Sequence, residues 1–295
     1  MIKRLALPIL WLLALAGVLV ALVHGHTIAV LQPRGIIGLQ ERDLMVIATL
    51  LCLIVVVPVF VLTFVIAWRY RASNTRARYT PDWDGNRALE LTWWGIPLAI
   101  ISVLAVITWQ SSHQLDPYRP LASSQPPLTV QVVALDWKWL FIYPDQRIAT
   151  INYLRLPVGR PINFEITADA PMNSFWIPQL GGQMYAMAGM STQLHLMASQ
   201  AGTYGGSSAN ISGRGFAGMR FTAQAVAPAD FDGWVASSQR GTSHLTVDAY
   251  RDLARPSQDH PIATYAAVQP GLYDAIIMDY MMPMPGGDIA LGAAQ

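Results

Sequence analysis

Only one cysteine, Cys52, occurs in the whole chain, and it lies inside an apolar run. One thiol can form neither an internal disulfide nor a cysteine-pair metal site, so zinc ribbons, iron–sulfur clusters and thioredoxin-type redox chemistry within one chain are excluded. Charge is also scarce. Asp, Glu, Lys and Arg make up 13% of the residues, against roughly 25% in soluble domains. The 19 basic and 18 acidic residues nearly cancel to a formal +1, which gives no electrostatic reason to expect nucleic acid as a partner. There is no internal repeat and no long low-complexity tract. Apolar residues are abundant: 53% of the 295 residues are hydrophobic and the mean hydropathy is +0.34. That balance describes a membrane protein with a sizeable polar part.

Three apolar stretches carry this hydrophobicity: residues 5–23 behind Lys3 and Arg4, residues 44–67, and residues 91–109. Each approaches the ~20 residues that cross a bilayer core. The second and third read as spans. The first is open to two readings, because a basic start before an apolar core also begins an export signal, with a cleavage point available just before His26. Residues 1–25 are thus a signal peptide or an additional N-terminal span, and residues 26–114 a transmembrane hairpin. The loop 68–90 holds Arg69, Arg71, Arg76, Arg78 and Arg87, whereas residues 24–43 hold only Arg34 and Arg42. The positive-inside rule therefore puts the 68–90 loop in the cytoplasm and everything after the third stretch outside. Trp68, Tyr70, Trp93, Trp94 and Trp109 cluster at the span ends as an interfacial belt.

After Trp109, "SSHQLDPYRPLASSQPPL" reads as a linker, and strands are predicted over 128–134, 162–167, 193–198 and 219–226. Short strands punctuated by Pro and Gly predict a β-sandwich over residues 115–228. Residues 229–295 are expected to be a C-terminal extension with two short helices, "ADFDGWVASSQ" and "TVDAYRDLA", and a loose end from residue 278.

Residues 205–219, "GGSSANISGRGFAGM", have the form of a ligand loop without strong ligands. The order of parts, a hairpin and then an external sandwich, resembles subunit II of the haem-copper terminal oxidases, whose sandwich is a cupredoxin fold. The resemblance implies a cupredoxin-like domain here. In members that oxidise cytochrome c, this loop binds a binuclear copper centre. On that pattern Ser208 and Ser212 stand at the two cysteine positions, Asn210 at the glutamate, and Gly213 matches the glycine. Phe216 replaces a histidine, Met219 remains, and Asn173 in "NSFWIP" replaces the other histidine. Serine hydroxyls cannot bridge copper as thiolates do, and one thioether does not hold it alone. These six positions are therefore degenerate and are expected not to bind metal. The segments "VALDWKWLFIYPDQRIATIN" and "MNSFWIPQLGGQMYAMAGMSTQLHLMASQAGTY" are similar to the quinol-oxidising branch of cytochrome bo type, over about residues 30–280.

That branch implies a subunit without a redox centre or cofactor of its own, in a hetero-oligomer in the bacterial inner membrane. Haems and copper would sit in partner subunit I, and ubiquinol would be the substrate of the complex. Where members of this kind carry a lipid-bearing cysteine, this chain has His26, so lipid attachment is not expected. Asn210 removes a carboxylate shared with a magnesium site in copper-containing relatives, and that site is not carried over. Glu90, at the cytoplasmic mouth of the third stretch, matches the family's proton-entry glutamate. Its bland alternative is an acid favouring a helix N-terminus.

The remaining features read as packing. Methionines 172, 184, 187, 190 and 197 are core fillers, and Trp137 and Trp139 are packing aromatics. His113, His195 and His244 are isolated, and the tail methionines 278, 281, 282 and 284 read as a floppy end or a contact with a neighbouring subunit. Two other readings stay open: a copper subunit serving cytochrome c, and a membrane-tethered periplasmic assembly or binding module.

Overall fold

A computed structural model describes residues 17–18, 28–78, 80 and 82–282. Most of the first apolar stretch, and the tail from residue 283 with Met284, lie outside the described residues. The chain divides into two compact units: Gln40–Arg119, and the residues up to Leu39 together with those from Pro120 onward.

The smaller unit is helical. Helix α1 (Ile36–Arg69) begins eight residues before the predicted span, and α2 (Arg87–Gln114) encloses the predicted 91–109. Both are long and apolar enough to cross a membrane. Five of their hydroxyls are satisfied within the helices: Thr49, Thr63, Thr92, Ser102 and Ser111 each donate to the carbonyl four residues back. Apolar surroundings therefore meet few unpaired donors on these helices. Asn86 caps α2, its side chain accepting from the amides of Ala88 and Leu89.

The larger unit is a β-sandwich. Its strands are β1 (Leu128–Leu135), β2 (Lys138–Tyr143), β3 (Ile148–Ile151), β4 (Tyr153–Pro157), β5 (Ile162–Ala168), β6 (Asn173–Trp176), β7 (Met184–Ala186), β8 (Thr192–Leu196), β9 (Gly202–Ser208) and β10 (Arg220–Val226). Three more follow: β11 (His244–Leu245), β12 (Ala263–Tyr265) and β13 (Ala267–Val268). One sheet runs β12-β3-β2-β1-β5-β8 and the other β4-β10-β9-β6-β7. The β1–β5 and β10–β4 pairs are parallel and the other pairs within these two sheets antiparallel. Between the sheets lies an aromatic core in which Phe175 stacks on Phe221 at 5.3 Å, with Trp139 edge-on to both. Offset and edge-on pairs of this kind add stabilisation beyond their buried area.

The four predicted strands correspond to β1, β5, β8 and β10 with shifted ends. Met197 and Ala198 leave β8, Ala198 bridging instead to Gly35, and Met219 closes a turn before β10. The prediction missed β2, "KWLFIY", because all six residues are buried and no alternation marks the strand. One face of β2 joins the aromatic core, while Leu140 and Ile142 enter a second core with Val133, Tyr250, Leu272 and Ile276. That second core is built by the C-terminal extension. The expected helices are present as α3 (Pro228–Ser238) and α4 (Val247–Ala254). A further helix, α5 (Leu272–Met281), takes in the first four residues of the end expected to be loose, because Leu272, Tyr273 and Ile276 are buried against the sheet; residues 283–295 of that end lie outside the described residues. The extension also supplies β12 to the six-stranded sheet.

Candidate functional site

The positions expected to be degenerate copper ligands lie on β6, the end of β9 and the loop after β9. β6 pairs with β9 through Phe175 and Trp176, opposite Ser208 and Ser207. This register brings Asn173, 1% exposed, beside Ser208, 6% exposed. The Ser208 hydroxyl donates to Asn173 Oδ1 at 2.9 Å, and the Asn173 amide donates to the Pro171 carbonyl at 2.7 Å. Asn210 joins them through its main chain, its carbonyl lying 3.2 Å from the Ser208 hydroxyl, while its side-chain amide donates to the Met172 carbonyl at 2.8 Å. Met219 is fully buried, and its carbonyl accepts from the Ser208 amide at 3.3 Å. Phe216 is half-buried in the turn Phe216–Gly218.

Ser212 stands apart from this cluster. Its hydroxyl is buried with no hydrogen-bond partner, while its carbonyl accepts from Trp137 Nε1 at 3.3 Å. Trp137 has a left-handed backbone, φ 63°, which places its indole over the loop. A side chain at Gly215 would meet that ring at 2.4 Å, so the glycine is what admits it. Trp137 therefore belongs to the site as a packing element. Its positive φ, unusual for a bulky residue, could not be read from the sequence.

Ser208, Phe216 and Met219, with Gly205 and Gly206, line an open cavity of about 490 Å³. This donor set does not fit a copper pair. Ser208 and Asn173 spend their polar atoms on each other and on main chain, neither is a soft donor, and Phe216 has no donor atom. Among the described residues no group of three or more His, Cys, Asp or Glu is placed to hold a metal ion.

Glu90 lies in the other unit. It is exposed in the first turn of α2, its amide donating to the Asn86 carbonyl at 2.9 Å. The carboxylate complements the helix N-terminus there. Of the three histidines His113, His195 and His244, His195 is buried in β8, while His113 and His244 are exposed.

Comparison with known proteins adds the following. The family described as "Cytochrome C oxidase subunit II, periplasmic domain" matches residues 146–226, and the "COX Aromatic Rich Motif" matches residues 239–284. The chain is 49% identical over 259 residues to cytochrome bo(3) ubiquinol oxidase subunit 2 of Pseudomonas aeruginosa, covering 88% of this chain and 78% of that protein. It is 49% identical over 261 residues to ubiquinol oxidase subunit 2 of Acetobacter aceti, covering 88% and 85%. Among solved structures, the periplasmic domain of subunit II of cytochrome oxidase from Bradyrhizobium japonicum is similar at 20% identity and a TM-score of 0.37, covering 39% of this chain and 96% of that one.

Proposed function

The chain belongs to the family of ubiquinol oxidase subunit 2 proteins, and on that premise we propose that it is the metal-free second subunit of a proton-translocating terminal ubiquinol oxidase. Its partner, subunit I, holds the haems and copper and most of the quinol site. This chain carries no redox centre and performs no bond-making step. It crosses the bacterial inner membrane with α1 and α2, keeps the arginine-rich loop in the cytoplasm, and presents the sandwich on the periplasmic side. Glu90, at the cytoplasmic end of α2, delivers protons toward subunit I.

The observation that carries the metal-free reading is the hydrogen bond between Ser208 and Asn173. Where relatives serving cytochrome c place a thiolate and an imidazole, this chain places two neutral side chains that satisfy each other inside the protein. A relay outside the membrane is unnecessary when the electron donor is a quinol dissolved in it. The test is to purify the complex in mild detergent, confirm that haem travels with this chain, separate the subunits and assay each for metal. Copper is expected with subunit I alone, and the isolated chain should show no near-infrared copper absorption. Tightly held stoichiometric copper in this chain would defeat the reading, and recovery of the intact chain without haem would favour a free-standing periplasmic module.

A further inference from the structure

Residues 69–78 hold four arginines, Arg69, Arg71, Arg76 and Arg78, and no acid. They follow directly on the C-terminal end of α1 and fold into a turn that one side chain organises. The Asn74 side-chain amide donates to the Arg69 carbonyl at 2.5 Å, and Asn74 Oδ1 accepts from the Arg76 amide at 3.3 Å. Its main chain closes the turn on both sides, the Asn74 amide donating to the Arg71 carbonyl at 2.9 Å and the Asn74 carbonyl accepting from the Ala77 amide at 3.4 Å. A carbonyl that α1 leaves free is thereby satisfied, and the spacing of the arginines is fixed by main-chain bonds.

Arg71 is the most closely held of the four. Its Nη1 donates to the Trp68 carbonyl at 2.9 Å, its Nε donates to Ser73 Oγ at 3.1 Å, and its guanidinium carbon lies 4.6 Å from the centre of the Trp68 ring. Two of the five N–H donors are used there, which leaves three for a ligand. Arg69, Arg76 and Arg78 are exposed, and among the described residues no carboxylate pairs with any of the four arginines. Four cations so close together repel one another until an anion joins them. Trp68 and Tyr70 are exposed beside them. Such rings at a span end sit at the level of the lipid headgroups, so Trp68 sets the Arg71 fork at the height of the lipid phosphates, whose oxygens match its geometry.

We propose that the 69–78 turn binds the headgroup phosphate of an anionic phospholipid, with Arg71 as the fixed donor and Arg76 and Arg78 as the charges that draw the lipid in. A lipid fits better than a free phosphate ion, because Trp68 and Tyr70 offer apolar ring surface beside the charges that the glycerol and first acyl carbons cover and an ion does not. A headgroup of net negative charge fits better than a zwitterionic one, which would bring a further cation to a turn that has no acid to receive it. An acidic face of a neighbouring subunit would answer the charges but leaves the exposed rings without a role. The inference rests on α1 crossing the bilayer and is independent of which reaction the complex performs.

Hydrogen–deuterium exchange of the purified complex in lipid nanodiscs tests the site, with phosphatidylcholine alone or with part of it replaced by phosphatidylglycerol. Phosphatidylglycerol should slow exchange of the 71–78 amides about fivefold or more, and ~1 M salt should remove most of that protection. Arg76→Gln with Arg78→Gln changes two side chains that make no hydrogen bond among the described residues. That variant should lose most of the protection while its exchange in phosphatidylcholine stays that of the wild type, and Arg78→Gln alone, with a smaller loss, decides the matter if the pair fails to assemble. Equal wild-type exchange in the two bilayers, or full protection in the variant, would overturn the proposal. Inorganic phosphate that protects the turn in phosphatidylcholine as well as phosphatidylglycerol does would overturn the lipid as the source. Protection that is present in phosphatidylcholine and lost only when the other subunits are stripped away would give the turn to a protein partner instead. Labelling of Cys52, within α1, by a water-soluble maleimide reports the crossing separately: a blocked thiol with an unprotected turn refutes the lipid site alone.

Discussion

Ser208→Ala is the sharpest probe of the degenerate site. The substitution removes an oxygen that donates to Asn173 Oδ1 at 2.9 Å and lies 3.4 Å from the Ser174 amide. It adds no bulk and leaves no sizeable cavity. Asn173 is 1% exposed, so its orphaned carbonyl oxygen finds no water, and the expected cost is that of an unsatisfied buried acceptor, about 1–3 kcal/mol. For a unit of this size each kcal/mol lowers the melting midpoint by about 2–4 °C, so the sandwich should melt about 2–12 °C earlier. Tryptophan fluorescence of the full chain in detergent reads the transition, since Trp139 lies in the core. Asn173→Ala should cost a similar amount, and the double variant should cost less than the sum of the two, by about 1 kcal/mol, because both single changes break one shared bond. Two results would refute the reasoning. Additive single effects would mean that the bond is not what holds β6 to β9. A wild-type midpoint that falls on copper chelation as far as it falls in Ser208→Ala would mean that a metal holds the loop.

Glu90→Ala should slow oxygen consumption per haem while haem content and assembly stay normal, and Glu90→Asp should keep part of the rate; full turnover in the alanine variant would leave Glu90 a helix-end acid worth at most about 1 kcal/mol. Gly35→Ala should loosen the segment that docks on the sandwich ahead of α1, because the new methyl carbon would lie 2.5 Å from the Leu180 carbonyl oxygen; an overpacking cost of about 1–3 kcal/mol should appear as a lower melting midpoint, and an unchanged midpoint would show that the loop 177–181 yields freely. Burial raises the phenol pKa of Tyr143, Tyr250 and Tyr273 above the ordinary value. Their protonated forms therefore stabilise the fold fully below about pH 10, and that contribution is lost as pH rises above it. An absorbance titration should show these phenols ionising only as the C-terminal extension and sandwich come apart, and reversible ionisation of all eleven tyrosines near pH 10 in the folded protein would contradict this.

The sequence by itself determined the two helices of spanning length, the β-rich domain that follows them and the absence of Cys and His from residues 205–219. Each of these rests on local information: long apolar runs, alternating strands, and the identity of single residues at Asn173, Ser208, Asn210, Ser212 and Phe216. Donor chemistry belongs to a side chain wherever it sits, which is why the loss of soft ligands could be read without coordinates. What those residues do instead was decided only in three dimensions. The bond from Ser208 to Asn173 joins positions 35 residues apart, and it exists because β6 and β9 are neighbours in one sheet. The same holds for β2, whose six buried residues look alike until a sandwich core covers one face and an arm more than a hundred residues later covers the other. Asp169 reads as an ordinary loop acid until folding delivers two phenols from distant helices to its two oxygens. Local sequence sets what each segment can do, but long-range pairing decides which partner satisfies it, because a buried polar atom or apolar face must find its complement wherever the chain returns.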